Sequence, residues 1–135
     1  MSLSAEERNA VVTFRLEKAQ RAYEQACGVA QHQYWETMAN RLYYAAYNAV
    51  SALLIAYGYN AQTHSGVIHL FGLHFVKAGI FPPETGRLYH DLFTMRLTGD
   101  YDDTYGLTEN DVIPYIKPVG ELITQVSELA KQHLK

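Results

Sequence analysis

Arg41, Tyr44, Asn48, Ser51 and Ile55 follow one another at steps of three and four residues, which aligns them on one face of a helix. A row with one cation, two hydroxyls and an amide is unusual in a segment this apolar. The chemistry it offers is ligand binding, and Arg41, Tyr44 and Asn48 are its candidate residues. The bland alternative pairs Arg41 with a carboxylate of another helix and satisfies the hydroxyls with backbone or water. His64, His69, His74 and His90 raise the question of a metal. His69 and His74 are five apart and point to different sides of a helix, and no Glu or Asp completes a zinc pattern, so no metal is expected. His64, beside a loop, is kept as a ligand-binding candidate. Glycine-rich phosphate loops, a Ser-His-Asp order and basic runs are absent from the sequence. No cofactor is implied.

These side chains must be carried by helices. Ser4 and Glu7 make a capping box that starts a first helix near Ala5. Its apolar residues run to Gly28, read as the terminating glycine. A second helix is expected from about Gln33 to Tyr57, stopped by Gly58. Asn60 to His64 reads as a loop, and Ser65 to Lys77 as a third helix ending at Gly79. After Pro82-Pro83, Glu84 to about Thr98 forms a fourth, and Gly99 to Gly106 a loop. Thr108 and Asp111 cap a fifth that runs to about His133, bent or begun late by Pro114 and Pro118. No strand pattern or internal repeat appears. The expectation is an all-α, up-and-down antiparallel bundle of about five helices, forming one domain over residues 1–135.

The second helix carries the strongest pattern. Trp35, Met38, Leu42, Ala45, Ala49, Leu53 and Ala56 form one apolar stripe, and Tyr43, Tyr47, Val50, Leu54 and Tyr57 a second beside it. More than half of its circumference wants burial. It is therefore central to the bundle, or covered on one side by a partner subunit.

Composition bounds the function. At 48% hydrophobic and 19% charged, the 135 residues suit one folded core rather than a disordered chain. The net charge of −3 argues against a domain that grips nucleic acid mainly by counterion release. Cys27 is the only cysteine, which excludes an intrachain disulfide and fits a reducing cytoplasm. The acidic start does not resemble a signal peptide, and the apolar run from Ala52 to Tyr57 is too short to span a bilayer, so no membrane association is expected.

The run Asn40-Arg41-Leu42-Tyr43-Tyr44-Ala45-Ala46-Tyr47-Asn48-Ala49, then His64-Ser65-Gly66, then Arg96-Leu97-Thr98-Gly99-Asp100-Tyr101, resembles a prokaryotic branch of the HEPN superfamily over nearly the whole chain. The resemblance implies a helical bundle, a homodimer, and pairing with a minimal nucleotidyltransferase in a toxin–antitoxin-like module. Many such proteins are metal-independent ribonucleases that use an arginine, then four to six intervening residues, then a histidine: a base near the 2′-hydroxyl and a cation near the phosphate. Here no arginine has a histidine at that spacing. Arg87 and His90 are too close, and after Arg96 the place is held by Tyr101, whose ordinary pKa of about 10 makes it a poor base at neutral pH.

Arg96, Asp100 and Tyr101 stand where the resemblance places a catalytic site, and Arg96 shares a helix face with Tyr89 and Phe93. The bland alternative there is an Arg96 to Asp100 pair at i, i+4. Three readings follow: a binding module for a minimal nucleotidyltransferase and for nucleotide or RNA, a divergent endoribonuclease, and a dimer scaffold without chemistry. The missing histidine favours the first.

Overall fold

The computed structural model describes residues 3–101 and 106–134, apart from the side chains of Asp100 and Tyr101. Its elements are all helical among the described residues. Ser4 and Glu7 form the expected capping box, with the Glu7 N–H donating to Ser4 Oγ at 3.1 Å and the Ser4 N–H to Glu7 Oε1 at 2.9 Å. Helix α1 then spans Ala5–Val29. It does not stop at Gly28: a 3-10 turn, Ala30–His32, follows, and the left-handed residue is Gln33 at φ 60°. Val29 and Ala30 pack against the core, and that burial offsets the cost of a glycine inside the helix.

Helix α2 spans Trp35–Ala56, and Gly58 at φ 84° turns the chain away. Thr63 caps α3, His64–Phe71, with Gly66 N–H donating to its hydroxyl at 2.9 Å. A π-helical turn, Gly72–Val76, continues α3, and Gly79 at φ 86° closes the segment. Helix α4, Pro83–Tyr101, opens on proline, which suits a first helical position. It runs through Gly99, where the sequence suggested a loop. A Cβ on Gly99 would stand 3.0 Å from the Leu107 side chain and 3.6 Å from Glu36 Cα, so the glycine lets the end of α4 lie against the start of α2.

The expected fifth helix is divided. Thr108 and Asp111 cap a single turn, α5, Glu109–Val112. Pro114 occupies a 3-10 turn, Ile113–Tyr115, and the long helix α6 begins late, at Ile116–His133, with Pro118 in its first turn.

Helix α2 is the axis of the bundle, packed by α1, α3, α4 and α6. Its two apolar stripes are buried or half-buried throughout, and Asn48 and Ser51 of the polar row are buried too, each 6% exposed. The bundle's own helices therefore cover most of α2. Alanines 19, 22 and 26 of α1 and 39, 45, 46, 49, 52 and 56 of α2 let these two helices approach closely.

Candidate functional site

The polar row does not act as a unit. Asn48 turns its amide back to the Tyr44 carbonyl at 2.9 Å. Arg41 lies over the Tyr44 ring at 5.4 Å, and its guanidinium donates to Asn40 Oδ1 at 3.1 and 2.8 Å and to Gln25 Oε1 of α1 at 3.3 Å. Arg41 is thus held by the amide oxygens of Asn40 on α2 and Gln25 on α1, and no carboxylate of another helix pairs with it among the described residues.

The strongest constellation is an aromatic cluster built by three helices around Arg96. Helix α2 supplies Tyr43, Tyr44 and Tyr47, α3 supplies His64 at its first position, and α4 supplies Tyr89, Phe93 and Arg96, one turn apart on one face. The Arg96 guanidinium carbon lies 5.1 Å from the Tyr43 ring centre, 5.6 Å from Phe93 and 5.8 Å from Tyr44. Ring quadrupoles attract a cation at these distances, and more so when it is desolvated. Arg96 is 9% exposed. Tyr89 and Tyr43 stack at 6.1 Å, and His64 stacks on Tyr47 at 4.7 Å.

His64 Nδ1 and the Tyr43 hydroxyl share a hydrogen bond of 2.5 Å. Burial pushes the Tyr43 phenol well above its ordinary range, outweighing the Tyr89 hydroxyl and the Arg96 charge, which pull the other way. Partial burial, helped by Arg96, holds His64 below the usual histidine range. The imidazole is therefore neutral at neutral pH. A half-exposed neutral imidazole, three half-exposed rings at Tyr44, Tyr47 and Phe93, and a buried guanidinium make a surface suited to a planar ring and an anionic group.

Of the residues singled out in the sequence, His64, Tyr44 and Arg96 come together, while Arg41 reaches the cluster only through Tyr44. Asn48 faces its own backbone. The side chains of Asp100 and Tyr101 lie outside the described residues. Tyr43 and Tyr47, which the sequence places on an apolar stripe, and Tyr89 and Phe93, which it places on the Arg96 face, complete the cluster. The signal was present, because Tyr43 and Tyr47 are one turn apart, as are Tyr89, Phe93 and Arg96. Among the other histidines, His74 stacks on Tyr59 at 4.0 Å, and His69 and His90 are exposed. The described residues hold no group of three His, Cys, Asp or Glu placed for a metal ion. None of their helices is long and apolar enough to cross a membrane.

Residues 12–129 match the HEPN domain family. A UPF0332 protein of Thermotoga maritima is 30% identical over 123 residues, which are 91% of this chain and 93% of that protein. A Methanocaldococcus jannaschii protein named "Putative toxin MJ0605" is 31% identical over 94 residues, 70% of this chain and 69% of its own length. A second from that organism, "Putative toxin MJ0142", is 27% identical over 96 residues, 71% and 65% respectively.

Proposed function

The chain belongs to the HEPN domain family, and on that premise we propose that it is a nucleotide- or RNA-binding module of a toxin–antitoxin-like pair, working as a homodimer beside a minimal nucleotidyltransferase. The ligand half of this reading rests on the Arg96 guanidinium set over Tyr43, Tyr44 and Phe93 beside His64. Bases stack on such rings, and arginine binds phosphate through its planar fork. The toxin setting is supported by the names of two relatives. The partner is what the family resemblance implies. Fluorescence polarisation of a labelled oligoribonucleotide tests the ligand: wild type binds, and Arg96→Ala loses binding with its helicity intact. No binding by the wild type at physiological salt overturns it. Co-purification with a nucleotidyltransferase encoded beside this chain tests the partner.

One observation favours the endoribonuclease reading as the alternative. His64 brings to the Arg96 cluster in space the histidine that the sequence lacks after Arg96, and a neutral imidazole beside a cation is the pairing that 2′-hydroxyl activation needs. Metal-free cleavage of RNA, lost in both His64→Ala and Arg96→Ala, would replace the binding reading with this one.

A further inference from the structure

Tyr47 also lines a second cleft, which the Arg96 cluster does not use. It holds about 130 Å3 and lies among α1, the second half of α2 and the segment leading into α3, with Arg15, Ser51, Leu54 and Asn60 in its lining. The Ser51 residue is 6% exposed, and its hydroxyl has no hydrogen-bond partner among the described residues. A helical serine can relieve itself by bonding the carbonyl one turn back. Ser51 does not, so its polar atom is buried at the cleft with its hydrogen-bonding capacity unused.

The charge in this cleft is one-sided. Arg15 is half-buried and makes no ion pair or hydrogen bond with the described residues, and no Asp or Glu belongs to the lining. Arg8, two turns earlier on α1, already donates to the Ile55 carbonyl at 2.6 Å. That terminal carbonyl of α2 is served without Arg15, whose charge is left for an occupant. At about 30 Å3 per water, the cleft has the room of about four waters, enough for a tetrahedral oxyanion.

We propose that this cleft binds a phosphate monoester, with Arg15 and Ser51 donating to its oxygens and Asn60 completing the donor set. A dianionic, many-acceptor group answers both the unpaired guanidinium and the unused hydroxyl, and arginine matches phosphate oxygens two at a time. The site needs no ligand at Arg96 and stands or falls apart from the reading above.

Thermal unfolding of the full chain tests it, at constant ionic strength, with inorganic phosphate, adenosine 5′-monophosphate, adenosine or acetate. Phosphate and the monophosphate are expected to raise Tm, while adenosine and acetate do not. A larger shift with the monophosphate, abolished like that of phosphate in Arg15→Gln, identifies a nucleotide end as the source, and equal shifts identify free phosphate. Arg15→Gln and Ser51→Ala should abolish the phosphate shift, whereas the exposed Arg21→Gln should keep it. Without phosphate, Ser51→Ala should be as stable as wild type or more so, because it removes a buried hydroxyl that lacks a partner. The proposal is overturned if phosphate gives no shift, if acetate matches it, or if the shift survives Arg15→Gln.

Discussion

The Tyr43 hydroxyl and His64 Nδ1 meet at 2.5 Å across 21 residues of chain. Burial keeps the phenol protonated, with the Tyr89 hydroxyl as its other neighbour. With Nδ1 unprotonated the phenol donates to it, so protonation at that nitrogen would remove an acceptor from Tyr43.

The first prediction concerns pH. His64 is held below the ordinary value of about 6.5 in the fold. Between the folded and unfolded midpoints the unfolded chain binds more protons, so this group's contribution to stability is complete above about 6.5 and is lost as pH falls through the folded midpoint. NMR titration of the His64 ring should give a midpoint below 6.5, and His64→Gln should flatten the acid side of a Tm profile. A midpoint at or above 6.5 would contradict the cluster's electrostatics.

Arg96 should act on that titration and on ligand binding separately. Because burial is the larger cause, Arg96→Met should move the His64 midpoint up without restoring the ordinary value. Arg96→Lys keeps the charge but loses the planar fork, and should weaken oligoribonucleotide binding about tenfold, or about 1.4 kcal/mol. Equal affinity for Lys and Arg would mean that charge alone acts.

How much of this is legible in the sequence depends on whether a feature is local. Ser4 with Glu7, Thr108 with Asp111, and the left-handed glycines 58 and 79 are settled by a few neighbouring residues, and the sequence shows them. Gly28 and Gly99 are not local in that sense. The helices continue through them because Val29 and Ala30 meet the core, and because α4 ends against α2. The same holds for the site: Arg96 and His64 are recognisable by type, but only packing joins them. A helical face shows that Arg41 and Asn48 are aligned, not that Gln25 and the Tyr44 carbonyl will take their donors.

The cap of α3 should prove coupled to a glycine. Thr63→Ala should cost about 1 kcal/mol, as other N-cap losses do. A Cβ on Gly66 would stand 2.9 Å from Thr63 Oγ1, so Gly66→Ala should also destabilise. In the Thr63→Ala background the obstacle is gone, and Gly66→Ala should become neutral or stabilising in urea melts. Simple additivity of the two changes would contradict this geometry.

Gly120 offers a similar test in α6. A Cβ there would lie 2.7 Å from the Tyr23 hydroxyl, which donates to the Ile116 carbonyl at 2.9 Å. Gly120→Ala gains about 1 kcal/mol of helix propensity, yet should be net destabilising because the Tyr23 ring must shift and lose its bond. Tyr23→Phe should recover part of that loss when the two are combined. A Gly120→Ala protein more stable than wild type would show that the ring moves freely.

The Arg96 cluster takes its members from residues 43 to 96, on three helices. During synthesis, no earlier fragment contains the guanidinium, and the rings of α2 wait without their cation until α4 has been made. Whatever this surface does, it begins only once most of the chain has emerged from the ribosome and docked.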